Sequence, residues 1–183
     1  MLKKIALLFL LVVAGCASIK SETRIESNLR VKEFNSISSR YMDRPTFITL
    51  YELSGDDRFL YVQSDSYRPN KSNTISYGLK YVDEYIAFID KFLEWEKLAT
   101  ERKDTLNKDI GETSSWAGAL NLKFSFYSGN SRSHFLEVAG CGLMCVDTSP
   151  FQYFDQAAAK ELRSLLIKMK ENQFKPTDDS VYK

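Results

Sequence analysis

The only histidine of the chain, His134, is the side chain best suited to general-base work near neutral pH, and Ser131 and Ser133 lie just before it as candidate nucleophiles. No Gly-x-Ser-x-Gly elbow surrounds any serine, and proximity in sequence does not encode triad geometry, so a surface or half-buried structural histidine is the expectation. Cys141 and Cys145 form the second candidate group. In an extended strand, residues four apart lie about 13 Å from each other, whereas a disulfide needs Cα atoms about 4.4–6.8 Å apart. A bridge therefore requires the chain to turn, which Gly140 and Gly142 permit. A Cys141–Cys145 disulfide, two buried thiols, and a redox or metal role all stay open. The spacing is not Cys-x-x-Cys, and a zinc site would have to join one histidine, two cysteines and a carboxylate. No metal site, cofactor or catalytic residue is expected. Gly140 and Gly142 lack the third glycine and the following helix of a phosphate loop. The acidic pairs Asp56–Asp57 and Asp178–Asp179 sit in polar turn and tail contexts and read as solvated charges.

Positioning these groups falls to short strands and two helices. Strand character is present over 29–37, 46–53, 58–63 and 74–80, with Ser54 to Asp57 as the turn of a hairpin. Residues 65–73 read as a loop punctuated by Pro69. The spacing predicts a helix over 83–100 with Asp83 as N-cap. On it Tyr81, Tyr85, Phe88, Phe92, Trp95 and Ala99 form one stripe, and Val82, Ile86, Ile89 and Leu93 form a second, so two of its sides should be covered. Glu96 falls between the stripes, either as a binding or acid-base group or as a last-turn residue in solvent or paired with a nearby Lys or Arg. Residues 101–115 read as a polar connection. Strands follow over 119–127, 134–139 and 143–147, then a helix over 155–170 with one narrow apolar arc. The expected class is α+β: antiparallel sheet or sheets with two helices.

The N-terminus carries an address. Lys3 and Lys4 precede an apolar run from Ile5 to Val13, too short for the roughly 20 residues that a membrane-spanning helix needs. Val13, Ala14, Gly15 and Cys16 follow the aliphatic, small, small, cysteine order, and the stretch resembles the signal peptide and lipobox of bacterial lipoproteins. The resemblance implies cleavage of residues 1–15 and lipidation of Cys16 with acyl chains such as palmitate. Several chains make such anchoring stable. It further implies export, which places Cys141 and Cys145 in an oxidising space and favours their bridge. Ala17 in place of Asp points, by the same resemblance, to the periplasmic face of an outer membrane.

The expected organisation is a lipidated Cys16 with a polar tether over 16–28, one domain over 29–171 with possible halves 29–100 and 112–171, and a polar tail over 172–183. Tyr81-Val82-Asp83-Glu84 and Tyr153-Phe154-Asp155-Gln156 would open the two helices in a repeated strands-then-helix unit. That layout is similar to the single-strand nucleic-acid binding folds of the PUR and Whirly type. Charge opposes the function of those folds: without Lys3 and Lys4 the 25 basic residues fall to 23 against 24 acidic ones, and no nucleic-acid partner is expected. The expected role is a non-catalytic binding or scaffolding module of the cell envelope, partnered by the membrane through Cys16 and by another envelope protein. The alternatives are an envelope hydrolase with a site near His134, Cys141 and Cys145, and a carrier of a small hydrophobic ligand beside the first helix.

Overall fold

Among the described residues the chain forms ten strands, the clearest of them on a period-two alternation of apolar residues, and two helices on amphipathic segments. The computed structural model describes residues 18–68, 71–118, 120–142 and 149–175. The strands are β1 (Ile19–Ile25), β2 (Lys32–Asn35), β3 (Arg40–Asp43), β4 (Thr46–Leu53), β5 (Arg58–Asp65), β6 (Ser72–Gly78), β7 (Asn107–Ser114), β8 (Asn121–Asn130), β9 (Ser133–Cys141) and β10 (Phe151–Phe154). Helix α1 (Val82–Arg102) follows β6, and α2 (Gln156–Lys170) follows β10. The class is α+β with two antiparallel sheets and two helices, each helix following strands.

One sheet is the meander β1-β4-β5-β6, and the other has the order β3-β2-β10-β9-β8-β7. Four-stranded meander then helix therefore occurs twice, as β1-β4-β5-β6-α1 and β7-β8-β9-β10-α2. The β2–β3 hairpin leaves the first unit and extends the second sheet, Lys32 pairing with Tyr153. The repeat boundaries differ from those expected. Residues 19–25, read as tether, form the edge strand β1 paired with β4, and residues 107–114, read as connection, form the edge strand β7 paired with β8. The segment 29–37 divides into buried Leu29 and Val31 and the separate strand β2. The expected strand over 143–147 lies outside the described residues, as do residues 1–17 and 176–183.

Helix α1 has the two covered sides its stripes require. Tyr85 and Phe88 meet Phe124, and Phe92 and Trp95 meet Phe126, with ring centroids 5.1–6.4 Å apart. Helix α2 runs along another side, where Arg163 pairs with Asp90 at 2.6 Å and Lys170 with Asp83 at 2.5 Å. Asp83 is thus a first-turn residue facing α2 rather than the N-cap, which is Tyr81. Asp155 does cap α2, its side chain accepting a hydrogen bond from the Ala158 N–H. Tyr153 and Phe154 belong to β10, so the two helix entrances differ although the units repeat.

The sheets are joined at a buried polar clasp. Gln152 of β10 is fully buried: its Nε2 donates to the Val62 carbonyl at 2.9 Å and, at 3.4 Å, to the Asn73 carbonyl. Its Oε1 accepts from the Tyr77 hydroxyl at 3.2 Å. Among the described residues, no helix is long and apolar enough to cross a membrane.

Candidate functional site

His134 is the second residue of β9 and points inward, its ring 5.3 Å from that of Phe126. Both ring nitrogens are engaged: Nε2 is 3.2 Å from the Asp104 carbonyl and Nδ1 3.4 Å from the Thr100 hydroxyl. The Thr100 hydroxyl also lies 3.0 Å from Glu96 Oε1, and Gln156 Nε2 donates to Glu96 Oε2 at 2.5 Å. Glu96 is thus held by a threonine and a glutamine, not by a Lys or Arg, and it links α1 to the start of α2. The chain Gln156–Glu96–Thr100–His134 places the hydroxyl between acid and imidazole. A nucleophilic triad needs the imidazole in the middle, so this order ties elements together rather than activating an oxygen. Among the described residues no serine hydroxyl bonds to His134, which leaves Ser131 and Ser133 as turn and strand residues.

His134 and Cys141 are not brought together. They stand near opposite ends of β9, seven residues and so about 23 Å apart. Cys141 is buried and disulfide-bonded, its partner sulfur outside the described residues. Cys145 and Cys16 both lie outside them. Gly140 serves close approach: its N–H donates to the Pro150 carbonyl at 2.9 Å, and an added Cβ would sit 2.9 Å from Pro150 Cγ. Among the described residues, no group of three or more His, Cys, Asp and Glu side chains could hold a metal ion.

A different constellation forms on the outer face of the six-stranded sheet. Alternation places Phe34, Tyr41, Tyr127, Phe135 and Tyr153 there, opposite the face that meets the helices. Tyr41 is the hub, with centroid distances of 5.4 Å to Phe34, 5.9 Å to Tyr127, 4.4 Å to Phe135 and 5.2 Å to Tyr153. Tyr127 and Tyr153 are 5.6 Å apart. Three rings around a trapped cation would stand about 7–8 Å apart if each lay about 4–5 Å from it. The tyrosines are closer than that, so they fill their own interior.

Glu137 lies half-buried in this cluster, directly across from Tyr153 in the ladder. Burial raises its carboxyl above the usual carboxylate range, opposed by the Tyr153 hydroxyl bonded to it. Burial likewise raises the Tyr153 hydroxyl, and the neighbouring Glu137 charge adds to the effect. Tyr41 is raised by burial, by its hydrogen bond with Tyr127 and by nearby Tyr153, Tyr127 and Glu137.

Beside the cluster a cleft of about 700 Å³ opens between the β2–β3 hairpin, β10 and the described part of the β5–β6 loop. Its floor carries Tyr41, Phe151 and Tyr153, and its rim carries exposed Arg68 and Lys71. The rim is fastened to β2: Glu33 accepts from the Ser66 hydroxyl and the Tyr67 N–H, both at 2.8 Å. Arg44 lies 3.9 Å over the centre of the Tyr67 ring. The result is an aromatic floor with exposed cations at its rim.

Sequence reasoning missed this site because it did not see β3. The signal available was the turn after Asn35, whose side-chain oxygen accepts from the N–H groups of Ile37 and Ser38 at 3.0 Å each. Comparison with known proteins finds no matching family model, no similar curated protein and no similar solved structure.

Proposed function

We propose that the chain is a lipid-anchored protein of the cell envelope, held by acyl chains on Cys16 at the periplasmic face of an outer membrane. Its domain acts as a non-catalytic binding or scaffolding module for another envelope protein. The carrying observation is the aromatic outer face of the six-stranded sheet with its adjoining cleft. Phe34 is 51 % exposed there, beside rings already packed in place. Rigid rings lose little conformational freedom on binding, so such a face favours association. The hydrolase alternative draws no support from His134, a residue 5 % exposed whose ring is engaged at both nitrogens.

Two measurements test this reading. Fractionation of cells carrying Cys16→Ser should move the protein out of the membrane, and a variant that stayed membrane-bound and uncleaved would remove the anchor. Crosslinking in intact cells followed by affinity purification should capture one envelope protein with the parent chain and lose it with Phe34→Glu. Retention of the same partner by a folded Phe34→Glu chain would remove the aromatic face as its docking surface.

A further inference from the structure

The first described residues leave almost no slack between the proposed anchor and the domain. Ser18 is already fixed to the β4–β5 turn: the Ser54 N–H donates to the Ser18 carbonyl at 3.0 Å, and the Ser18 N–H donates to Ser54 Oγ at 3.2 Å. Strand β1 begins at the next residue. Two peptide units join the Cα atoms of Cys16 and Ser18, and they span at most about 7 Å. A free tether of about 12 residues would instead allow a root-mean-square reach of about 20 Å.

We infer, on the premise that Cys16 is lipidated, that the β4–β5 end of the domain lies against the lipid surface and that the aromatic cleft faces away from it. The surface at that end suits an interface between apolar and polar media. Ile19 is 62 % exposed. Trp116 is half-buried, stacked on Phe59 at 4.2 Å, and its indole N–H donates to Asp57 Oδ2 in the turn at 3.0 Å. An indole with one apolar side and one polar tether is the group that settles at headgroup level. Gly78 makes its seat, since a Cβ there would stand 3.0 Å from Trp116 Cα. The cleft is at the other end of β5. From Arg58, beside the turn, to Asp65, beside the rim, the strand advances seven residues, about 24 Å.

The two tryptophans of the chain report the two regions. Trp116 marks the anchor end. Trp95 lies ten residues along α1 from Tyr85, whose hydroxyl contacts Gly78 and Ser114 at that end, and so about 15 Å further from it. The test uses the lipidated chain purified from membranes and reconstituted into phosphatidylethanolamine–phosphatidylglycerol vesicles, with and without brominated acyl chains. Trp95→Phe, which keeps Trp116, should lose fluorescence in brominated vesicles. Trp116→Phe, which keeps Trp95, should not. A flexible Gly/Ser insertion of about 12 residues between Ala17 and Ser18 should abolish the quenching of Trp116 while leaving the protein on the vesicles.

Protein that carries no lipid and does not float with vesicles would overturn the anchoring premise alone. Vesicle-bound protein with Trp116 unquenched, or with both tryptophans quenched alike, would overturn the orientation while leaving the anchor standing. An insertion variant quenched as strongly as its parent would overturn the short connection as the cause. If Trp116→Phe failed to fold, Trp95→Phe with and without the insertion would still decide the question.

Discussion

Gln152→Leu tests whether the clasp between the sheets is what holds the cleft floor in place. The substitution nearly preserves volume but removes the acceptor for the Tyr77 hydroxyl and the donor to the Val62 and Asn73 carbonyls. Tyr77 is fully buried, so its hydroxyl cannot turn to water. A buried polar group left unpaired costs about 1–3 kcal/mol, and the new leucine recovers part of that through apolar burial. The expected net loss is about 2–3 kcal/mol, read as a lower urea midpoint at unchanged slope or as a Tm lower by roughly 4–12 °C for a domain of this size. Tyr77→Phe alone should cost about 1 kcal/mol, because it strands only one side of the amide. The double variant should be less destabilised than the sum, with a coupling of about 1 kcal/mol, since it removes both partners of one bond. Phe151 and Tyr153 flank Gln152 on the opposite face, so the single variant should also weaken capture of the partner. Singles that add without coupling, or a neutral Gln152→Leu, would refute the clasp.

The remaining predictions concern His134 and Glu137. His134→Ala should destabilise by about 2–3 kcal/mol, from lost hydrogen bonds and a cavity against Phe126, while the folded variant keeps its crosslinked partner. A loss of partner without a shift in the urea midpoint would return His134 to the candidate site. Glu137→Gln should flatten part of the pH profile of stability. Burial raises the native carboxyl above its ordinary value of 4.5, so the native state holds the proton more strongly than the unfolded state. The stability from that proton is present below the unfolded value and is lost as pH rises through the native one. The variant should therefore gain on its parent over that window and differ from it by a constant amount above it; a difference that stayed constant through the window in urea melts would refute the reasoning.

Alternation within a strand was legible where one face is buried and the other wet. Leu122, Phe124 and Phe126 against Lys123 and Ser125 announce β8, and the structure buries the first three completely. The stripes of α1 were legible for the same reason. The strands that were not are β1, β3 and β7, which are outer edges of their sheets, and the four-residue β10 inside the second sheet. Within β1 only Thr23 is buried, and within β7 only Ile110, so neither carries an apolar period. An edge strand is held by backbone pairing on one side, which constrains side chains weakly. The cleft was illegible for a different reason. Tyr41 is far in sequence from Phe151 and Tyr153 and meets them because the β2–β3 hairpin crosses to β10, a long-range choice that local pattern does not encode. His134 and Cys141, close in sequence, belong to one strand whose length separates them.

Three tyrosines gather on the outer face of the six-stranded sheet, and their placement bears on what the uncovered face is for. Phe92, Phe124, Phe126 and Phe154 are wholly buried, whereas Tyr41, Tyr127 and Tyr153 keep contact with solvent on the outer face. Rings needed only to fill a core would give no reason to array tyrosines on a face that neither helix covers. Packed edge to face and bonded to one another and to Glu137, they are fixed before any partner arrives, which lowers the ordering cost of association. A domain pinned to a bilayer through two peptide units would add a second saving. Its cleft would be held at a set height and heading above the membrane, and a partner confined to the same envelope space would meet it at high effective concentration. On this reasoning the insertion between Ala17 and Ser18 should weaken partner capture as well as quenching, although it changes no residue of the cleft.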